Sequence, residues 1–310
     1  MSQNNPLSAI LDKQDFLLLD GAMATELEAR GCNLADSLWS AKVLVENPEL
    51  IREVHLDYYR AGAQCAITAS YQATPAGFAA RDLDEAQSKV LIGKSVELAR
   101  KAREAYLAEN PQAGTLLVAG SVGPYGAYLA DGSEYRGDYQ RSAEEFQAFH
   151  RPRVEALLDA GADLLACETL PNFAEISALA ELLTAYPRAR AWFSFTLRDS
   201  EHLSDGTPLR DVVALLADYP QVVALGINCI ALENTTAALQ HLHGLTALPL
   251  VVYPNSGEQY DAVSKTWHHH GEHCAHLADY LPQWQAAGAR LIGGCCRTTP
   301  KDIAALKARS

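Results

Sequence analysis

The sequence lacks several features that would place it in a membrane, secreted or nucleic-acid-binding class. No stretch of about 18 apolar residues is present to cross a bilayer. Residues 1–6 lack the basic segment and apolar run of a secretory signal, so we expect a cytoplasmic protein without membrane contacts. Basic residues are in deficit, with 25 Lys and Arg against 38 Asp and Glu. That balance argues against nucleic acid as a partner, because phosphates require a basic surface.

Low-complexity linkers are also missing, so nothing in the sequence divides its 310 residues into separate domains. Eight short apolar runs alternate with longer helical patterns, and each run is continuously apolar, as expected of strands buried on both faces. The predicted strands are residues 16–20, 65–70, 116–121, 163–168, 191–196, 222–228, 249–253 and 290–294. The predicted helices are residues 48–60, 84–108, 143–160 (with a kink at Pro152), 171–185, 208–217, 234–243, 275–287 and 300–308.

This alternation predicts an α/β fold, a single (β/α)8 barrel that occupies residues 1–310 as one domain. The alternative is an open, doubly wound sheet, which would carry a glycine-rich phosphate loop after its first strand. Here the first strand leads into residues 20–26, a segment with one glycine and an early acidic residue. The barrel is therefore the favoured architecture.

The carboxyl ends of the predicted strands are polar and rich in sulfur, although the strand bodies are apolar. These ends carry Asp20, Thr68 to Tyr71, Ser121 to Tyr125, Glu168 and Thr169, Phe195 and Thr196, Asn228 and Cys229, Tyr253 to Asn255, and Cys295 and Cys296. Active sites of (β/α)8 barrels lie at this end of the strands. We therefore expect a functional site there.

Three of the seven cysteines, Cys229, Cys295 and Cys296, fall at strand ends. In a reducing cytosol, clustered cysteines indicate a metal or catalytic site rather than disulfides. Three thiolates with one open position are typical of a working zinc site, so we predict one zinc ion per chain. A disulfide between Cys295 and Cys296 is a less favoured alternative. The cysteines at 32, 65 and 167 are expected to be small buried residues.

A second metal candidate is the histidine-rich segment 267–274. Histidine-rich tracts can bind metals, but three consecutive side chains do not easily share one ion. We expect a solvated loop here, with only adventitious metal binding as the alternative.

Two carboxylates, Asp20 and Glu168, close the first and fourth predicted strands. Each could cap the helix that follows, or bind an ammonium group of a substrate. Glu26 and Glu258 are weaker candidates for the same role. The aromatic residues Tyr71, Phe195, Tyr253 and Trp267 lie near the expected mouth of the barrel, where a ring face attracts a cation such as a sulfonium.

Seven motifs resemble those of the zinc-dependent homocysteine S-methyltransferases, particularly the group that uses S-methylmethionine as methyl donor. The matching segments are residues 19–27 (LDGAMATEL), 68–73 (TASYQA), 121–128 (SVGPYGAY), 168–172 (ETLPN), 226–229 (GINC), 253–258 (YPNSGE) and 293–297 (GGCCR). The resemblance covers nearly the whole chain.

The resemblance implies that homocysteine takes a methyl group from S-methylmethionine, giving two methionines. The implied metal ligands are Cys229, Cys295 and Cys296. The implied substrate-binding residues are Asp20, Gly21, Ala22, Glu26, Thr68, Ser70, Tyr71, Glu168, Asn228, Tyr253 and Glu258. Backbone amides near Gly21 and Ala22 are expected to hold the homocysteine carboxylate. The implied partners are these small molecules, and a monomer or weak homodimer is expected.

Alternatives stay open at this point. The donor could instead be S-adenosylmethionine or betaine, and the cysteines could form a non-catalytic metal-storage or sensing site. A cysteine-nucleophile hydrolase is disfavoured because it needs a partnered histidine. None of His55, His150, His202 and His241 falls at a predicted strand end.

Overall fold

A computed structural model describes residues 5–256 and 276–310, together with the backbone of residues 259–261 and 266–268. Eight parallel strands, β1 to β8, confirm the predicted (β/α)8 barrel. In chain order they are Leu17–Leu18, Cys65–Ile67, Leu117–Val122, Leu164–Leu170, Ala191–Phe195, Val222–Asn228, Leu250–Tyr253 and Ala289–Ile292. From β2 to β8 each strand pairs with its sequence neighbours, and β8 pairs with β1. A bridge between Leu19 and Cys65 joins β1 to β2 and completes the ring.

Four strand ends differ from the predicted bounds by two or three residues, and all four lie where the site forms. β1 ends at Leu18 instead of residue 20. β2 ends at Ile67 instead of residue 70, and β4 continues two residues beyond Glu168. β8 ends at Ile292, before Gly293. A Cβ atom at Gly293 would lie 2.6 Å from the Leu19 Cβ, so only glycine allows this close approach of the β8 end to β1.

Thirteen α-helices are present in the described residues. They are Ser8–Leu11, Met23–Ala29, Ser40–Glu46, Pro48–Arg60, Pro75–Phe78, Glu85–Glu109, Tyr125–Leu129, Ala143–Asp159, Phe173–Leu183, Leu209–Leu216, Thr235–His243, Leu277–Ala286 and Pro300–Lys307. Eight of them match predicted helices to within a few residues. The third predicted helix runs unbroken as one element through Pro152. None of the helices in this part of the chain combines the length and hydropathy needed to span a bilayer.

Two antiparallel hairpins extend the loops after β5 and β7. The first pairs Leu197–Asp199 with His202–Leu203, and the second pairs Gln259–Asp261 with Thr266–His268. The segment 267–274 was predicted to be a loop, but residues 267 and 268 belong to the second hairpin. Their backbone is therefore engaged in strand pairing, which the histidine-rich composition did not indicate. Residues 269–274 lie outside the described residues.

The amino-terminal end of the barrel is filled with apolar side chains. Leu7, Ile10 and Leu11, on and just before the first helix, are buried in one cluster with residues such as Leu17 and Leu117. The guanidinium of Arg290 donates hydrogen bonds to the backbone carbonyls of residues 11, 14 and 15 and holds this segment against β8. The opposite, carboxyl end of the strands is left to form the site.

Candidate active site

The three strand-end cysteines converge at the carboxyl end of the barrel. The Sγ atom of Cys296 lies 3.9 Å from that of Cys229 and 4.0 Å from that of Cys295. All three sulfur atoms lie within 4.8 Å of one another, as a shared metal ion requires. Burial raises the pKa of the Cys296 thiol to about 12, so without a nearby cation it keeps its proton at neutral pH.

The structure also joins Cys229 and Cys295 in a disulfide, which the sequence did not lead us to expect. The prediction of free thiols in this cluster is therefore wrong for these two residues. The physical reason is their proximity, because their Cα atoms lie 5.6 Å apart, within the usual range for a disulfide. The cysteines at 32, 65 and 167 are free, and those at 65 and 167 are buried, as expected.

Backbone geometry places the cysteines. Cys229 directly follows β6 with φ +51°, a left-handed conformation that turns its side chain out of the strand register. Its backbone N–H donates to the Tyr253 carbonyl at 3.1 Å, which ties the turn to the end of β7. On the other side, the Thr298 hydroxyl donates to the Cys295 carbonyl at 2.6 Å. A Cβ at Gly294 would lie 2.4 Å from the Thr298 hydroxyl, so this loop requires glycine there.

A cavity of about 150 Å³ opens beside the sulfur atoms. Its lining comes from the ends of most of the strands and from the loop after β1. Among the lining residues are Asp20, Gly21, Ala22, Thr68, Tyr71, Ser121, Tyr135, Glu168, Thr169, Tyr253 and the three cysteines. The cavity therefore brings the predicted thiols and the predicted carboxylates into one site.

Asp20 is a buried carboxylate at the end of β1. Its Oδ2 atom accepts a hydrogen bond from the backbone N–H of Ile67 at 2.9 Å. Burial raises its pKa well above the ordinary value, and the charge of Glu168 raises it further. Asp20 is not a helix cap, because the next helix has Ala22 at its N-cap position without a side-chain hydrogen bond. The capping interpretation is therefore wrong for Asp20.

Glu168 is a second buried carboxylate and lies within β4. It accepts hydrogen bonds from the hydroxyls of Ser121 and Tyr253. Burial raises its pKa to about 7, although these hydrogen bonds act in the opposite direction. The following helix is capped by Asn172, whose side chain accepts from the Glu175 N–H at 3.0 Å. The capping interpretation is therefore wrong for Glu168 as well.

Several predicted substrate contacts are engaged elsewhere. Glu26 forms an ion pair with Arg30 at 2.8 Å. The Ser70 hydroxyl donates to the Ser121 carbonyl. The Asn228 side chain accepts from the Thr169 N–H and donates to the Thr169 hydroxyl. Both side chains therefore hold residues that line the cavity. The side chain of Phe195 is also fully buried and does not line the cavity. Glu258 and Trp267 fall where the structure describes no side chains.

The loop after β1 is fastened to the cysteine loop. The Ala22 N–H donates to the Thr298 hydroxyl at 3.2 Å, so this amide is already engaged and is not free for a substrate carboxylate. The buried Tyr58 hydroxyl donates to the carbonyls of Ala22 at 2.9 Å and Thr298 at 3.2 Å. Neither Tyr58 nor Thr298 was predicted from the sequence. The sequence signal that could have indicated Thr298 was its position two residues after Cys296.

A buried ionic network supports the opposite wall of the site. Arg153 donates to the carbonyl of Tyr71 at 2.7 Å and to that of Gly123 at 2.6 Å. His150 lies between Arg153, at 3.0 Å, and Glu175, at 2.7 Å. Burial lowers the pKa of Arg153 to about 10, and the Glu175 charge acts in the opposite direction. This network fixes two loops that border the cavity.

The chain is similar to known proteins over nearly its whole length. Residues 17–310 match the profile of the homocysteine S-methyltransferase family. The chain is 95% identical to the homocysteine S-methyltransferase of Escherichia coli K12 over 310 residues, 100% of each chain. It is 53% identical to homocysteine S-methyltransferase YbgG of Bacillus subtilis over 306 residues, 96% of each chain.

A solved structure shows the same architecture. The metallated form of the homocysteine methyltransferase MmuM from E. coli superimposes with a TM-score of 0.92 and 89% sequence identity. The alignment covers 99% of this chain and 100% of that one. Fold, cysteine cluster and sequence similarity lead to one conclusion: the chain belongs to the homocysteine S-methyltransferase family.

Proposed function

We propose that this protein transfers a methyl group from S-methylmethionine to homocysteine, with zinc held by Cys229, Cys295 and Cys296. One observation carries the proposal. Three cysteine sulfur atoms and two buried carboxylates line the same small cavity. The cysteine side would bind the thiol of one small molecule, and the carboxylates would bind its ammonium group.

The cysteine cluster fits a zinc ion. Three sulfur ligands leave one position open in the tetrahedral coordination that zinc prefers. Three thiolates require that Cys229 and Cys295 are reduced, because a disulfide offers no thiolate. Zinc bound there would lower the pKa of the homocysteine thiol and hold the resulting thiolate at the open position.

The two carboxylates supply the charge for the homocysteine ammonium group. Asp20 and Glu168 are buried and each carries a raised pKa, so an empty site disfavours their ionised forms. An ammonium group placed between them compensates for the lost solvation and reduces their mutual repulsion. Amino-acid binding and ionisation of the two carboxylates are therefore coupled.

The methyl transfer needs little further chemistry from the protein. The homocysteine thiolate forms a bond to the donor methyl carbon while the bond from that carbon to the sulfonium sulfur breaks. The electron pair of the broken bond stays on the departing sulfur, which becomes a neutral thioether. Because the negative and positive charges disappear together, no general acid is required. The protein contributes orientation of the two substrates in the cavity.

We extend the proposal to the organisation of the protein. The family profile reaches from residue 17 to residue 310, which supports one homocysteine-binding domain. We expect the protein to act in the cytoplasm as a monomer or weak homodimer.

Product stoichiometry tests the donor. The reduced, zinc-loaded protein is incubated with homocysteine and, in parallel, with S-methylmethionine, S-adenosylmethionine or betaine at matched concentrations. We expect the fastest initial rate with S-methylmethionine, and two methionines per homocysteine consumed. Faster turnover with another donor would contradict the donor assignment. Stoichiometric zinc binding without methyl transfer from any donor would instead indicate a metal-storage or sensing protein.

A further inference from the structure

Thr298 connects the loop that follows Asp20 to the loop that carries Cys295, although its own side chain does not line the cavity. The residue is fully buried. Its hydroxyl donates to the Cys295 carbonyl at 2.6 Å and accepts from the Ala22 N–H at 3.2 Å. One hydroxyl group therefore bonds the loop after β1 and the loop after β8 at the same time.

A third hydrogen bond turns this connection into a closed ring. The Gly294 N–H, next to Cys295 in the chain, donates to the Asp20 carbonyl at 3.1 Å. The ring runs from Asp20 to Ala22, across the Thr298 hydroxyl to Cys295, and back through Gly294. Because the path is closed, neither loop can shift along the other without breaking at least one of these bonds.

The ring is also tightly packed. A Cβ atom at either Gly21 or Gly294 would lie within 2.8 Å of the Thr298 hydroxyl, so backbone encloses this group on two sides. The buried Tyr58 hydroxyl donates to the carbonyls of Ala22 and Thr298 and braces the ring from below the site. The spacing of the two loops is therefore set by hydrogen bonds and by close contact together.

This ring joins the two halves of the site. Asp20, one of the two buried carboxylates, lies on one side of the ring, and Cys295 lies on the other, and both line the cavity. The Asp20 carboxylate is also held by the Ile67 N–H at 2.9 Å. A molecule that binds to both halves must therefore match a separation that the protein has already fixed.

We propose that Thr298 sets the separation between the metal site and the carboxylates, and that it thereby selects amino-acid thiols by their chain length. This inference rests on the proposed function, which places a thiol at one end of the substrate and an ammonium group at the other. Cysteine is one methylene group shorter than homocysteine. In a fixed frame, its thiol and its ammonium group cannot reach both ends at once. Thr298 acts through the two loops and is a positioning residue.

The test compares T298V with T298S. T298V keeps the shape of the side chain but leaves the Ala22 N–H and the Cys295 carbonyl without their partner, whereas T298S keeps the hydroxyl. Homocysteine and cysteine are titrated calorimetrically into the reduced, zinc-loaded protein without a methyl donor. We expect the wild type to prefer homocysteine by roughly 10- to 200-fold, the range for one methylene group. This preference should fall at least about fivefold in T298V and stay within about twofold of wild type in T298S.

T299V is the matched control. The Thr299 hydroxyl bonds the Asp302 carboxylate at 3.0 Å, at the start of the helix Pro300–Lys307. Its loss should lower the urea midpoint of unfolding without changing the preference for homocysteine. An equal change of preference in T298V and T299V would show that lowered stability alters selection, and would overturn the inference.

Y58F is the second variant, and it gives an answer if T298V does not fold. It removes the brace and leaves the Thr298 hydroxyl in place, so we expect a smaller fall in preference, roughly two- to fivefold. An unchanged preference in T298V, or in Y58F where T298V does not fold, would overturn the inference. Zinc content is measured in each variant by atomic absorption, and loss of zinc from T298V would assign Thr298 to metal binding and overturn the role in spacing.

The same titrations distinguish failure of this inference from failure of the proposed function. Homocysteine binding to the wild type with an unchanged preference in T298V would refute the role of Thr298 and leave the proposed function intact. Absence of homocysteine binding to the zinc-loaded wild type would refute the proposed function, and this inference with it.

Discussion

The two sides of the site are positioned by different means. The thiol side, Cys229, Cys295 and Cys296, depends on the backbone, with a left-handed residue after β6 and glycines that permit a tight loop after β8. The carboxylate side, Asp20 and Glu168, depends on hydrogen bonds from other strands. A turn can be encoded by a few adjacent residues, whereas a hydrogen-bond network needs residues that are distant in the sequence. The thiol side therefore leaves the clearer local signature.

The largest expected effect comes from the thiol side. C296S removes one of the three proposed zinc ligands, so bound zinc and methyl transfer should both fall below detection. Metal content by atomic absorption and initial rates check this in the reduced protein. C167S is the matched control, since Cys167 is free and buried in β4 outside the cavity, and it should keep one zinc per chain. A fully loaded and active C296S protein would refute the ligand assignment.

The next largest effect tests the ionic network behind the carboxylate side. R153L leaves the carbonyls of Tyr71 and Gly123 without their donor, and we expect a loss of about 3 to 5 kcal/mol in the free energy of unfolding. Urea denaturation measures this loss. R151L, two positions earlier in the same helix and partly exposed, should change stability by less than about 1 kcal/mol. Similar losses in both variants would show that the network has no special role.

Glu168 links stability to pH on the carboxylate side. The pKa of Glu168 is about 7 in the folded protein, against an ordinary value of 4.5. Between these two pH values the folded state retains a proton that the unfolded state has released. The stability that this proton provides is full below pH 4.5 and is lost as pH rises to about 7. E168Q removes the free-energy cost of burying the ionised carboxylate. At pH 8 its free energy of unfolding should therefore be up to about 3 kcal/mol higher than that of the wild type.

That gain should shrink steadily as the pH is lowered toward 4.5, which parallel urea titrations at several pH values would show. The same variant should bind homocysteine more weakly, because it lacks one negative charge for the ammonium group. A pH-independent difference in stability would mean that Glu168 titrates near its ordinary value in the folded protein.

The smallest expected effect concerns a cysteine outside the site. Cys32 is a free, half-buried thiol that does not line the cavity. C32S should leave zinc stoichiometry and rate within error and change stability by less than about 1 kcal/mol. Loss of metal in this variant would show that the cluster is not restricted to the three strand-end cysteines.

The sequence was sufficient to predict the barrel, because long periodic helices and continuously apolar strands are encoded locally. The eight helices of the alternation were predicted to within a few residues. Helices such as Ser8–Leu11 and Met23–Ala29 were missed, since four to seven residues are too few to establish a helical period.

The site was predicted unevenly, for a related reason. Asp20 and Glu168 were correctly placed near the carboxyl ends of β1 and β4, although β4 continues past Glu168. Their hydrogen-bond partners, the Ile67 amide and the Ser121 hydroxyl, come from other strands, so the environment of the two carboxylates was not predicted. Arg153 lies in the middle of a helix, where nothing in the local pattern distinguishes it from a surface arginine. Its role appears only when the loops containing Tyr71 and Gly123 are brought together.

The apolar plug formed by Leu7, Ile10 and Leu11 has a kinetic consequence. Because it fills the bottom of the barrel, both substrates must enter and both products must leave through the same opening at the top. A donor that arrived first would stand in the path of homocysteine on its way to the cysteine cluster. Under the proposed function homocysteine binds next to the cysteine cluster, so a single shared opening favours an ordered sequence in which homocysteine binds before the donor and its methylated product departs last.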